Sequence, residues 1–268
     1  MSRDAGPVVD CCLQLAGETV PQEEFNRRLD LVLEHGAPAA RAFFRTDHHF
    51  TGALFDTLGR DELPSKVCPR SISVVDLLAV TLLDVRLPAH AVTQLLDQES
   101  CVRLAEFLGG VGNVDLWTLD ESIAERASGW SAFAAWDELV DLDRVGPTIA
   151  SKILSRMRPR LIPIQDRVTR RVLSYGRDEN DWRLFMCALR DSERLEKARG
   201  LRADVSALLP EPQYPILRII DAASWMLGGE SKPVRRALGL LPRGKNQAEP
   251  EPGFLEARNT FLKRAGIR

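Results

Sequence analysis

The sequence lacks several features that would indicate a particular class of protein. Its five cysteines form no C-x2-C pair and no spacing typical of metal ligands, and Cys11 and Cys12 are adjacent. These patterns disfavour a zinc site, an iron–sulfur cluster and a disulfide framework. No apolar run approaches the length of a membrane span, and residues 1–20 do not follow the order of a signal peptide. We therefore expect a cytoplasmic protein with no metal, no cofactor and no membrane partner.

An excess of charge of one sign is also lacking. The 268 residues contain 36 Lys and Arg against 38 Asp and Glu, which gives a net charge of −2. No global basicity therefore indicates a polyanionic partner, although such a total would hide a local basic region. The length suits one large domain or two modest lobes around a buried core.

Strict alternation of apolar and polar residues, the pattern of a half-buried strand, is rare in this sequence. Apolar residues recur instead at helical spacing, which predicts an all-α protein of about ten short helices. One helix is expected from Gln22 to a stop at Gly36, and a second from Pro38. Ser73 and Asp76 predict a capping box before a helix that is apolar almost all round, and hence central and buried. We expect the tryptophans at 117, 130 and 136 in the core rather than in a ligand cage.

Residues 135–157 read as a helix, a tight turn and a second helix. Gly146 would allow a partner to approach the backbone closely, and Pro147 suits the first turn of a new helix. The free amides and positive dipole end of that helix form a site for an anion, of which a nucleic-acid phosphate is one example. The alternative is an ordinary αα-hairpin that binds nothing.

The segment that follows the turn is strongly basic. Residues 143–171 contain eight Lys and Arg against two Asp, a local charge of +6 within a chain of net charge −2. Such a segment suits double-stranded DNA, whose backbone phosphates it could contact, whereas the alternative is a solvated helical face with acidic partners elsewhere. The residues expected to contact DNA are Arg144, Val145, Gly146, Thr148, Lys152, Arg156, Arg158, Arg160, Arg167 and Arg170.

Asp166 is expected at the start of the next helix. Pro159 and Pro163 bracket an extended crossing that delivers it there. Its side chain could be a helix cap, worth about 1 kcal/mol, or a catalytic carboxylate, or both.

These motifs resemble those of the helix–hairpin–helix DNA glycosylase superfamily (endonuclease III type). Val145-Gly146-Pro147-Thr148-Ile149-Ala150 is similar to its hairpin, and Ile164-Gln165-Asp166-Arg167-Val168 to its catalytic aspartate segment. The resemblance implies a two-lobed helical fold. Residues 73–165 would form a central lobe that contains the hairpin at 135–157. Residues 20–60 and 166–230 would form a second lobe, and 231–268 a linker and C-terminal helix.

The resemblance also implies an activity, the hydrolysis of an N-glycosidic bond of a flipped base. Asp166 would stabilise the oxocarbenium ion and could activate water. Thr148 stands where bifunctional members carry a lysine nucleophile, so the activity would be monofunctional. Lys152, one turn on, could replace that amine, contact a phosphate or pair with an aspartate. Arg144 stands where the hairpin usually has its first glycine. The residues proposed to line the base pocket or to enter the duplex are His48, His49, Phe50, Trp182 and Arg86.

Two other classes of function compete with this interpretation. One is a non-catalytic helix–hairpin–helix module that only binds DNA. The other is a protein on the same scaffold with no nucleic-acid ligand. The chain also resembles an uncharacterised bacterial family of unknown function, through Ser151-Lys152-Ile153-Leu154, Arg158-Pro159-Arg160-Leu161 and a late Leu217-Arg218-x-x-Asp221 followed by Trp225-Met226. Arg218 and Asp221 are three residues apart and are expected to pair.

Overall fold

The computed structural model describes residues 22–45, 50–59, 72–112, 114–124, 128–176, 181–207, 214–241 and 249–267. Within these residues there are twelve α-helices and no β-strand, which confirms the all-α prediction. The helices are α1 (Gln22–Phe44), α2 (Val74–Thr81), α3 (Ala89–Leu95), α4 (Gln98–Val111), α5 (Ser131–Val140), α6 (Pro147–Met157), α7 (Arg167–Leu173), α8 (Asp181–Arg190), α9 (Ser192–Ser206), α10 (Ile216–Gly228), α11 (Lys232–Ala237) and α12 (Phe254–Ala265). None of them is long and apolar enough to cross a membrane.

Helix α1 is one continuous helix where two were expected. Gly36 and Pro38 both lie inside it, so the predicted stop at Gly36 was wrong. A Cβ atom at position 36 would lie 3.0 Å from the Cβ of Ala223 in α10. The glycine therefore allows α1 and α10 to approach closely, and tertiary packing overrides its low helix propensity.

Helix α2 has the predicted cap but not the predicted burial. The Ser73 side chain accepts from the Asp76 amide, and the Asp76 carboxylate accepts from the Ser73 amide at 3.0 Å. Leu77 and Val80 are buried, whereas Val74 and Leu78 are 65% and 53% exposed. The expectation of a central helix was wrong because α2 lies at the surface, with one face against α6.

The helices form two groups by their contacts. Helices α1, α7, α9, α10 and α12 pack against one another, and α2 to α6 are linked through the pairs α2–α6, α5–α6, α4–α5 and α3–α4. The division into lobes stays a prediction. Helix α11 was not predicted, since six residues are too few for a periodic pattern to be recognised.

Candidate functional site

The turn between α5 and α6 has the expected local geometry with one strained residue. Gly146 is the N-cap of α6 with φ −88°, and Pro147 occupies the first turn of the helix. Arg144 has φ +61°, the left-handed region that glycine adopts without cost. Arg144 therefore occupies the one position of this turn at which glycine would remove backbone strain.

The start of α6 is open to an anion. Among the residues that the structure describes, the backbone N–H groups of Gly146 and Thr148 have no hydrogen-bond partner. A Cβ atom on Gly146 would meet nothing within 4 Å. Neither the backbone conformation nor the packing of the protein thus requires glycine at this position.

Asp166 is both a helix cap and part of a cavity. It is the N-cap of α7, where its Oδ1 accepts from the Val168 amide at 2.8 Å. Its Oδ2 accepts from Lys152 Nζ at 3.1 Å, and the same ammonium donates to the Leu83 carbonyl at 2.9 Å. Asp166 and Lys152 both line a cavity of about 430 Å³. The prediction that Asp166 caps a helix is confirmed, whereas its catalytic role stays a prediction.

The cavity has an aromatic wall. The rings of Phe43 and Phe50 are stacked with centroids 5.6 Å apart, and Trp225 stands edge-on to Phe50 at 6.1 Å. Four charged side chains that are buried or half-buried also line the cavity, those of Lys152, Asp166, Arg218 and Asp221. The other lining residues are Thr51, Gly52, Thr81, Leu82, Leu83, Asp84, Ile164, Ser231 and Pro233. The volume lies in the range of ~300–1,000 Å³ typical of small-molecule sites, and the walls suit a planar polar ring.

A buried ionic network forms the base of the charged side. Arg218 Nε donates to Asp56 Oδ2 at 2.8 Å, its Nη2 to the Gly52 carbonyl at 2.9 Å, and its Nη1 to the Asp221 carboxylate. Asp221 Oδ1 also accepts from the Thr169 hydroxyl at 3.0 Å. The expected pair of Arg218 and Asp221 is confirmed, although it is buried rather than at the surface. Asp56 was missed because no local pattern links residues so distant in sequence.

Asp221 is a second carboxylate of the cavity, with an altered affinity for protons. Burial raises its pKa to about 6, against the opposing effect of the Arg218 guanidinium, and the negative charge of Asp166 adds to the rise. Asp221 is therefore ionised at neutral pH and becomes protonated below about pH 6.

Comparison with known proteins identifies a family. A family model described as "Family of unknown function (DUF6308)" matches residues 37–228. The chain belongs to this family. No curated protein and no solved structure matches the chain. The span matched by DUF6308 includes the hairpin and all five charged residues that line the cavity, whereas α11 and α12 lie beyond it.

Several of the side chains predicted to bind DNA are buried in the structure of this DUF6308 protein. The side chain of Arg156 is 3% exposed, with Nε 3.1 Å from Asp76 Oδ1 and the rest of the guanidinium bonded to the carbonyls of Phe55 and Leu58. Lys152 and Arg170 are also buried. Their burial makes these three side chains less accessible to a phosphate at the surface than the exposed arginines are.

The other predicted contacts are partly buried, paired with an acidic residue or exposed, and the exposed Arg144 lies 3.6 Å from the Asp143 carboxylate. Arg158 is half-buried and donates to the Leu108 carbonyl, and burial lowers its pKa. Arg160 makes two hydrogen bonds to the Asp115 carboxylate, at 2.9 and 2.8 Å. Arg144 and Arg167 are exposed.

Two further predicted contacts lie at the hairpin itself. Val145 is buried beneath the turn. The Thr148 hydroxyl donates to the Gln165 carbonyl at 3.1 Å, which holds the start of α6 beside Asp166.

The predicted pocket residues have different positions. Phe50 lines the cavity, and its role in a base pocket stays a prediction. Trp182 does not: it is fully buried, stacked on Phe133 at 5.3 Å and edge-on to Trp130 and Trp136. A core position was expected for Trp117, Trp130 and Trp136; the last two are buried, whereas Trp117 is half-buried against the core. Arg86 is exposed and outside the cavity lining, and His48 and His49 lie outside the described residues.

Proposed function

We propose that this protein binds duplex DNA and hydrolyses the N-glycosidic bond of a base turned out of the helix, with Asp166 as the catalytic carboxylate. One observation carries the proposal. The Asp166 carboxylate, 18% exposed, is fixed at an aromatic-walled cavity by two hydrogen bonds, from Val168 and Lys152.

The chemistry follows from the charge that develops as the bond breaks. The base leaves with the bonding electrons and takes up a proton, and positive charge builds on the sugar. A carboxylate held next to the sugar stabilises that charge, and it can remove a proton from the water that adds to C1′. No covalent bond to the protein is required. Lys152 acts as a positioning group, because its ammonium is buried and bonded to Leu83 and Asp166.

The aromatic wall gives a place for the extruded base. Enzymes that act on a base inside a duplex turn it into a pocket and stack it between aromatic side chains. Phe43, Phe50 and Trp225 pack against one another, and all three line the cavity. Stacking on such rings is worth about 1–3 kcal/mol per base.

The hairpin would hold the DNA backbone next to the cavity. The free amides of Gly146 and Thr148, at the positive end of α6, are donors for a phosphate oxygen. Because the Thr148 hydroxyl is bonded to the Gln165 carbonyl, this anion site lies beside the segment that carries Asp166.

A specific observation supports a second candidate, a protein on this scaffold that binds a small planar ligand and no DNA. Lys152, Arg156 and Arg170 of the basic segment are buried. The outward charge of residues 143–171 is thus smaller than the sequence implies. A lack of salt-dependent DNA binding, together with a ligand in the cavity, would favour this candidate.

The test of catalysis is base release from a panel of duplexes that carry damaged or mismatched bases. We expect abasic sites from at least one duplex, and their loss in Asp166→Asn. Asp84→Asn is the matched control, since Asp84 also lines the cavity but is exposed and forms no hydrogen bond or ion pair with Lys152 or α7. Equal product from wild type and Asp166→Asn would refute the catalytic role of this carboxylate.

The test of the hairpin is Gly146→Ser. Serine at an N-cap favours helix formation and nothing in the fold occupies its space, so we expect unchanged thermal stability. DNA affinity should fall, because the side chain obstructs the amides. Gly200→Ser in α9 is the control, since a Cβ there also meets nothing within 4 Å. If both serine variants bind DNA as wild type does, the hairpin is not a phosphate site.

A further inference from the structure

The residue that caps α7 and the first residues of α11 border the cavity, and both helices carry exposed basic side chains. They are Arg167, Arg171, Lys232, Arg235 and Arg236, here called the α7/α11 surface. We infer that the α7/α11 surface is a second phosphate-binding surface, which holds the DNA backbone on the side of the cavity that α11 borders. The identification of the polyanion as DNA rests on the proposed function. The phosphate-binding surface is inferred independently, from the packing of α7 and α11 and from their exposed cations.

The two helices meet at Gly228-Gly229. Arg171 of α7 donates to the Gly228 carbonyl, and a Cβ on Gly228 would lie 2.3 Å from Val172 Cγ2. On the other side, a Cβ on Gly229 would lie 3.1 Å from Val234 Cγ2 of α11. The absence of side chains at this corner thus lets α7 and α11 flank it closely, which brings their cations into one region.

This region borders the cavity from both helices. Asp166, which immediately precedes α7, and Ser231 and Pro233 at the start of α11 are all lining residues. The bond from Thr148 to Gln165 places the start of α6 next to the start of α7. Hydrogen-bond donors for phosphate oxygens are therefore present at the α6 amides and at the basic side chains of α7 and α11, in this order along the molecule.

Within the described ranges, the basic side chains of this surface lack ion-pair partners, although the acidic residue Glu230 lies at the same corner. None of the five side chains forms an ion pair with any residue in the described part of the chain. Arg258, which caps α10 through the carbonyls of Leu227 and Gly229, has its pKa lowered by burial and also by the charge of Arg171, with Glu230 opposing.

The exposed cations of α9 differ. Lys197 pairs with Glu193 at 2.7 Å, and Arg199 pairs with Glu196, so that face is a balanced, solvated one. Exposed cations without counter-charges are what a phosphate backbone requires, because it must displace only solvent and small ions.

The test measures affinity for a duplex oligonucleotide over a range of salt concentrations. The triple variant Lys232→Gln, Arg235→Gln, Arg236→Gln should bind more weakly. Its slope of log K against log salt should be smaller by about 2–3, since each lost phosphate contact removes ~0.9. The matched control, Lys197→Gln, Arg199→Gln, Arg202→Gln on α9, should keep the wild-type slope. Melting curves show that each variant is folded. The double variant Arg167→Gln, Arg171→Gln gives the same test on α7 should the triple variant not fold.

The outcomes separate this inference from the proposed function. If the α11 variant has a smaller slope of log K against log salt, and the wild type releases no base, the α7/α11 surface is supported and the catalytic role of Asp166 is refuted. If the α11 and α7 variants keep the wild-type slope of log K against log salt, and Gly146→Ser binds DNA weakly, the α7/α11 surface is refuted. The proposed function is then unaffected. Absence of salt-dependent binding by the wild type would overturn both proposals. Tighter binding to single-stranded RNA than to duplex DNA would overturn the α7/α11 surface as a site for duplex DNA.

Discussion

Arg156 and Arg167 belong to the same basic segment, yet the protein uses their charges in opposite ways. Arg156 lies within α6 with a 3% exposed side chain, bonded to the buried carboxylate of Asp76 and to two backbone carbonyls. Arg167 lies at the start of α7 and is exposed. Burial of a cation costs free energy unless acceptors compensate it, and the three acceptors of Arg156 make this side chain part of the fold. A solvated, unpaired cation remains available for a ligand.

The largest expected effect comes from removal of the inward charge. Arg156→Gln leaves the buried Asp76 carboxylate and two carbonyls without their donor, so the free energy of unfolding should fall by about 3–5 kcal/mol. Arg167→Gln should change it by less than ~0.5 kcal/mol and should instead weaken DNA binding. Urea denaturation of the two variants measures both free energies. Similar losses of stability would remove the distinction between inward and outward cations.

The second effect concerns Asp221, the interior carboxylate that faces Arg218. Its folded-state pKa of about 6 lies above its ordinary value of 3.8, so the folded protein binds this proton more tightly than the unfolded chain does. Ionisation of Asp221 should therefore lower the free energy of unfolding as pH rises from about 4 to about 6, by up to ~3 kcal/mol.

The difference between wild type and Asp221→Asn isolates this carboxylate from all others. Asparagine keeps an acceptor for the Thr169 hydroxyl but does not titrate. We expect the stability of the variant relative to wild type to increase between pH 4 and pH 6.5, as measured by denaturation at several pH values. A difference that does not vary with pH would contradict the raised pKa.

The smallest effect concerns the strained arginine of the hairpin. Arg144→Gly should raise the free energy of unfolding by up to about 1 kcal/mol, because glycine adopts φ +61° without the penalty of a Cβ atom. Arg144→Ala, which removes the charge but keeps the Cβ, should give no such gain. If the alanine variant is stabilised equally, the side chain rather than the backbone is the source of the strain.

Local features of the site could be predicted from the sequence. Gly146, Pro147 and Asp166 follow rules that involve only a few neighbouring residues, and the structure has the turn, the first helical position and the N-cap at these places. The capping box of α2 belongs to the same class.

The remaining features depend on distant parts of the chain. The pairing of Arg218 with Asp56 joins residues 162 positions apart, and the inward orientation of Arg156 depends on carbonyls at 55 and 58. Gly36 was misread for the same reason, since its role is contact with Ala223. A count of charges cannot tell which side of a helix faces the core until the partner helices are placed.

The central claim is that Asp166 stabilises positive charge on a deoxyribose, and it can be tested without knowledge of the base. The measurement is the affinity for two duplexes, one with a cationic pyrrolidine ring and one with a neutral tetrahydrofuran ring in place of a single sugar. Since the cationic ring resembles the transition state, we expect wild type to prefer it by ~100-fold or more and Asp166→Asn to lose that preference. Equal affinity of the wild-type protein for both duplexes would contradict the account.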